Sequence, residues 1–159
     1  MNTKTALLLV DIQEGLNHPE FYGTERNNPD AEQNAGKLLQ FFRKKAWPVY
    51  HVKHDSVNPE SPLHPSNEGN KIQEVVSPLP SEPVYGKNVN SAFIGTNLEM
   101  VLKEAGIEEI IIVGLTTEHC ISTTTRMSAN LGFKTTLISD GTAAFNKIGL
   151  EGKQFSAQE

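Results

Sequence analysis

Cysteine is almost absent from this 159-residue chain, which has one, Cys120. A single thiol cannot close a disulfide within the chain or build a thiol-only metal site. An excess of basic charge is missing too: 14 Lys and Arg stand against 19 Asp and Glu, a formal net charge of −5. The basic residues are scattered, with only Arg43, Lys44 and Lys45 adjacent. A nucleic-acid partner, which needs a clustered basic face, is therefore not expected. No apolar run approaches the roughly 20 residues of a membrane-spanning helix. Met1 to Val10 lacks a basic region followed by a long apolar stretch, so neither a signal peptide nor a membrane partner is expected. The cytoplasm is the expected compartment.

With hydrophobic residues at 37% and charged residues at 21%, the composition is that of a folded globular chain rather than a disordered one. The length suits one domain over residues 1–159. Ala6-Leu7-Leu8-Leu9-Val10 is a continuous apolar run, which predicts a strand buried on both faces, as in a parallel sheet. Asn28-Pro29 predicts a helix start, a capping side chain followed by proline. Ala31, Ala35, Leu38, Leu39, Phe42 and Ala46 then keep helical spacing, with Arg43-Lys44-Lys45 in the last turn, where cations suit the helix dipole. Residues 48–53 read as the second strand. Seven of nine prolines lie between Pro48 and Pro83, so residues 55–83 predict a long loop over one end of the sheet, of the kind that forms functional walls.

Val84-Tyr85-Gly86 predicts a brief strand ending at Lys87. Thr96 to Glu99 has the form of a capping box, and Gly106 would end the helix behind it. Glu109 to Val113 is the strongest predicted strand. A turn at residues 114–117 leads to a helix from about Glu118 to Leu131, stopped by Gly132, and Thr135 to Ser139 is the next strand. Strands alternating with helices predict a three-layer αβα fold, Rossmann-like, around a central parallel sheet. In such sheets the site lies outside the carboxyl ends of the strands. That rule selects Asp11, Lys87 and the turn leading to Cys120, each just beyond a predicted strand. In the first turn of a helix, the Cys120 thiolate would be favoured by backbone N–H groups, which could also hold an oxyanion. Taken singly, each residue also has a plain reading: buried hydrophobe for the cysteine, turn former for the aspartate, solvated side chain for the lysine.

Three segments together resemble the isochorismatase-like cysteine hydrolases. These are Leu8-Leu9-Val10-Asp11-Ile12-Gln13, Lys87-Asn88-Val89-Asn90-Ser91-Ala92-Phe93, and Val113-Gly114-Leu115-Thr116-Thr117-Glu118-His119-Cys120-Ile121. Their order and spacing agree over residues 6 to about 145. The resemblance implies an isochorismatase-like hydrolase fold with Cys120 as nucleophile, Asp11 as its base and later the activator of water, and Lys87 orienting the pair. It implies a non-proline cis peptide at Leu115–Thr116, which would aim the Thr116 and Cys120 N–H groups at the oxyanion. Glu118 stands where many members carry aspartate, and with Phe21 and Phe93 it is a candidate substrate contact, as is Tyr22.

Nicotinamidases of this family bind a metal through an Asp-x-His pair and a further histidine. Here Val52 stands two before His54, so no metal is expected, and His51, His54 and His64 read as surface or hydrogen-bonding residues. This weakens nicotinamide as the substrate. The family usually continues with one more helix and often a strand. The chain reaches Glu159 in what reads as the start of that helix, so it is expected to lack the usual C-terminal end.

The function implied is hydrolysis of a C–N bond in a small amide or ureido compound through a cysteine thioester, with no organic cofactor and as a homo-oligomer. Two other classes stay open: a thiol-based redox or sensing protein, and a non-catalytic binding domain on the same fold. The lack of a second cysteine disfavours the former, and the presence of all three triad residue types disfavours the latter.

Overall fold

The two strongest apolar runs become neighbouring strands at the centre of a sheet. The computed structural model describes residues 4–159; the absence of a targeting signal was read partly from Met1 to Thr3, which lie outside them. Five parallel strands, β1 (Thr5–Val10), β2 (Val49–His54), β3 (Val84–Lys87), β4 (Glu109–Leu115) and β5 (Lys134–Ala143), lie in the order β3-β2-β1-β4-β5. The chain order reverses between β1 and β4, where open α/β sheets place their ligand crevice.

A short helix, α1 (Pro19–Tyr22), comes after β1. Pleating sends alternate β1 side chains to opposite faces. Ala6, Leu8 and Val10 join one core with Leu98, Leu102 and Ile121, while Leu7 and Leu9 join another with Ala35, Leu39 and Phe42. Helix α2 (Ala31–Lys44) therefore covers one face, and α3 (Leu98–Glu104) and α4 (Ser122–Asn130) cover the other. The result is the three-layer αβα architecture. Gly114 allows β4 to approach β1: a Cβ there would lie 2.0 Å from the Val10 carbonyl oxygen.

Local signals were overridden at three places. Asn28 does not open a helix; its side-chain amide donates to the Ser139 and Thr142 carbonyls at 2.7 Å, tying the loop to β5, and α2 starts at Ala31. The capping box does not form. Thr96 donates its hydroxyl to the Ala92 carbonyl at 2.6 Å, and Glu99 pairs with Lys103. The C-terminal stretch read as the start of a helix is instead an antiparallel hairpin, β6 (Lys147–Ile148) with β7 (Gln154–Phe155). Gly152, at φ 76, turns the chain inside it.

The loop between β2 and β3 carries two 3-10 turns, Glu68–Asn70 and Glu74–Val76. Asn70 knots it. Its amide donates to the His54 and Leu63 carbonyls and to the Asp55 carboxylate, and its own oxygen accepts from Lys53. Among the described residues, no helix is long and apolar enough to cross a membrane.

Candidate active site

Sheet register brings the first pair of polar groups together. His54 and Lys87 are Cα partners at the ends of β2 and β3, so their side chains leave the sheet side by side. Asp11 follows β1 with φ 55, a left-handed conformation that aspartate tolerates better than most residues. Its N–H still reaches the Val52 carbonyl at 2.9 Å, so the chain turns only after β1 is anchored to β2. Cys120 arrives from β4 across a wide π-helical turn, Thr117–Ile121, where the Ile121 N–H bonds the Thr116 carbonyl. The Leu115–Thr116 peptide is cis.

The buried Lys87 ammonium is the centre of the group. It donates to Asp11 Oδ2 at 2.7 Å, contacts His54 Nδ1 at 3.2 Å and donates to Cys120 Sγ at 3.3 Å. An ammonium has three N–H donors, and three acceptors surround this one. Asp11 Oδ1 is buried without a hydrogen-bond partner, which leaves one carboxylate oxygen free to take a proton.

Burial raises the Asp11 pKa above the ordinary carboxylate value, against the opposing pull of Lys87. Burial, reinforced by the Asp11 charge, pushes the Cys120 thiol up to about 12. The helix N-terminus expected to ease thiolate formation does not offset this burial. Cys120 lies in the π-turn ahead of α4, and loss of water around it dominates. Burial and the Asp11 charge both favour the protonated thiol over a free thiolate. Burial, with Lys87 adding to it, lowers the His54 pKa.

Asp11, His54 and Cys120 line a cavity of about 280 Å³ with apolar walls from Leu16, Leu63 and Leu115 and polar groups from Tyr22, Asn90 and His119. Burial, then the nearby Cys120 and Asp11 charges, raises the Tyr22 pKa, so its phenol keeps its proton. Leu63 brings the proline-rich loop into the wall, and Thr116 lines the cavity between Leu115 and the turn.

Three of the residues read as substrate contacts lie elsewhere. Phe21 is 54% exposed on α1 and packs edge-on against His18. Phe93 is buried in the core, stacked on Phe133 with centroids 6.2 Å apart. Glu118 turns to Lys147 at 3.1 Å. Aromatic rings near a motif serve packing first, and an exposed carboxylate takes the nearest ammonium. The histidines divide. His51 is buried against Glu82 and His64 bonds Ser66, but His54 belongs to the cavity. Leu16, Asn90 and His119 line the cavity without having been expected site residues. Asn90 lies inside the segment starting at Lys87 and His119 beside Cys120, so proximity to the motifs was their signal; Leu16 carried none.

Asp11, His54 and Cys120 offer ligand atoms within 4.8 Å of one another, a spacing a metal ion could use. The Lys87 ammonium already contacts all three residues. A second cation among them would meet that charge directly, so the donor set does not suit a metal while Lys87 is present.

Residues 5–155 match the family model described as the isochorismatase domain. The chain is 52% identical over 145 residues to YrdC, an uncharacterized isochorismatase-family protein of Bacillus subtilis (strain 168), covering 91% of this chain and 76% of that one. The chain belongs to the isochorismatase family. It is a hydrolase of that family by these matches. A solved isochorismatase-family structure from Chromobacterium violaceum superposes with a TM-score of 0.92 at 39% identity, over 100% of this chain and 82% of that one. Nicotinamidase 3 of Arabidopsis thaliana is 29% identical over 156 residues, covering 89% of this chain and 74% of its own length.

Proposed function

We propose that this isochorismatase-family hydrolase is a cysteine-dependent amidohydrolase acting on a small amide or ureido compound, with Asp11, Lys87 and Cys120 as its catalytic triad. One observation carries the reading: a single buried ammonium contacts both the carboxylate and the thiol on the floor of a small cavity. The name of the Arabidopsis relative, a nicotinamidase, supports amide chemistry.

The free oxygen of Asp11 takes the thiol proton as Cys120 Sγ attacks the carbonyl carbon. Lys87 stabilises the single negative charge whether it sits on oxygen or sulfur. The raised affinity of Asp11 for a proton makes it the stronger base. The N–H groups of Thr116 and Cys120 receive the oxyanion of the tetrahedral intermediate. On its collapse the C–N bond breaks, and Asp11 returns the proton to the departing nitrogen, leaving a thioester. Asp11 then takes a proton from water. The resulting hydroxide attacks the thioester carbonyl, the C–S bond breaks, and the sulfur recovers the proton from Asp11 as the acid departs. Every proton is accounted for within the triad and water.

A peroxide-sensing role is less well supported, because sensor thiols are low-pKa thiolates and this one is pushed up to about 12. The test is ammonia release from a panel of primary amides and ureido acids, run beside thiol titration after peroxide. Ammonia release that disappears in Cys120→Ala is expected. No release, with reversible oxidation of Cys120, would overturn the reading. A homo-oligomer in the cytoplasm belongs to the same proposal; Leu150, 92% exposed, and Ile148 offer an apolar surface for association. Light scattering at the mass of one chain would count against the oligomer.

A further inference from the structure

His54 has no part in the chemistry above, yet it shares the ammonium at its centre. Lys87 can only donate. The contact at 3.2 Å therefore requires a lone pair on His54 Nδ1. A neutral imidazole with its lone pair on Nδ1 carries its proton on Nε2. Gln13 fixes the backbone beneath the ring from both sides, its oxygen accepting from the His54 N–H at 2.8 Å and its nitrogen donating to the His54 carbonyl at 3.0 Å. Nε2 has no protein partner among the described residues, and the ring lines the cavity. The charges around it are those of Asp11, Lys87 and the Asp55 carboxylate. Among the described residues, no lysine or arginine lines the cavity to receive an anionic substrate group.

We propose that His54 is a fourth member of the site, holding the third proton of Lys87 on Nδ1 and presenting Nε2–H to a second, neutral acceptor atom of the substrate. The substrate class is thereby a neutral amide bearing a further carbonyl, not an amide bearing a carboxylate. This rests on the amidohydrolase reading for its substrate and on geometry alone for its proton. A donor of this kind discriminates strongly, because an analogue without the acceptor leaves a desolvated N–H unpaired.

Two measurements test it. Nitrogen-15 spectra of the histidine-labelled full chain at pH 7, with His54 assigned through His54→Asn, should show a neutral ring protonated on Nε2. They should not change when zinc is added. A ring protonated on Nδ1, a doubly protonated ring, or a zinc-dependent shift would overturn the proposal without touching the triad. The second measurement compares acetoacetamide with butyramide, a pair differing by one carbonyl, and with N-carbamoylglycine as the anionic probe. The parent protein should favour acetoacetamide over butyramide by about tenfold or more in kcat/KM, and N-carbamoylglycine should be the poorest. His54→Asn keeps an acceptor near the Nδ1 position and should erase the preference. His54→Leu frees Lys87 as well and should lower both amides. Equal rates for the two amides in the parent, or a preference intact in His54→Asn, would overturn the proposal. Failure of every amide would overturn the amidohydrolase reading, and the spectra would still decide the tautomer.

Discussion

Strand β2 carries two histidines, and each meets a carboxylate and a cation, but the two clusters have opposite characters. His51 belongs to the first. Its Nε2 lies 2.9 Å from Glu82, which also accepts two bonds from Arg43 at 2.8 Å and the Leu79 N–H at 3.0 Å. Burial works against the Glu82 charge, but these bonds outweigh it and hold the pKa at about 2. His54 belongs to the second. There one Asp11 oxygen takes the Lys87 bond while the other is buried without a hydrogen-bond partner, and burial raises its pKa. A carboxylate supplied with four donors is a clamp that ties the proline-rich loop to α2 and β2. A carboxylate left short of donors is a base. The difference lies in how completely each charge is satisfied, not in residue type.

The largest effects should come from the unsatisfied cluster. Cys120→Ala, Asp11→Asn and Lys87→Met should each lower kcat by about 10³-fold or more, and combining them should add little, as for residues acting as a unit. Steady-state assays on the folded variants check this. Additive losses would mean that the three act separately.

The same cluster should be a burden on stability. A buried ion pair replaced by neutral side chains of similar shape is often neutral or stabilising by ~1–4 kcal/mol. Asp11→Asn combined with Lys87→Met should therefore unfold in urea at or above the parent midpoint while being inactive. A clear fall in midpoint would make this pair a clamp like the other.

Glu82→Gln should do the reverse, costing about 1–3 kcal/mol and changing kcat/KM about twofold at most. Its effect should depend on pH in a definite direction. The folded pKa of about 2 lies below the ordinary 4.5. The stabilisation is thus complete above about 4.5 and lost as pH falls towards 2. Urea midpoints of parent and Glu82→Gln should converge over that window. Asp11 has the opposite sign. Its raised pKa means that its ionised form costs stability as pH rises above 3.8.

The smallest expected effect is none at all. Chelator treatment should leave activity unchanged, since Lys87 holds the point a metal would share. Loss of activity restored by zinc or iron would contradict that.

Much of this arrangement was legible in the sequence, for reasons particular to certain residues. The runs at residues 6–10 and 109–113 are too apolar for anything but buried strands, and the parallel topology then puts the residue just past each strand on one rim. That rule groups Asp11 and Lys87 with the turn after β4, and Cys120 follows within that turn. The roles of Phe21, Phe93 and Glu118 could not, because each was decided by a distant partner or its absence: the core around Phe133, the ammonium of Lys147, or open solvent. Asn28 spent its side chain on tertiary bonds to β5, and Thr96 spent its hydroxyl proton on the preceding loop at Ala92. The state of the thiol was illegible because helix position is local, whereas burial is a property of the folded whole. His54 was legible only as a surface or hydrogen-bonding histidine two residues after Val52, where a metal-binding aspartate would stand; the β2–β3 register that brings it to Lys87 is not written in either segment.

The most direct test is intact-mass spectrometry of the protein quenched during turnover of a slow amide substrate. An acyl adduct should appear on Cys120, grow and decay with the substrate, and be absent from Cys120→Ala, which should also be inactive. A folded Cys120→Ala protein that turns over substrate at near the parent rate, with no adduct on Cys120 in the parent, would contradict the account at its centre.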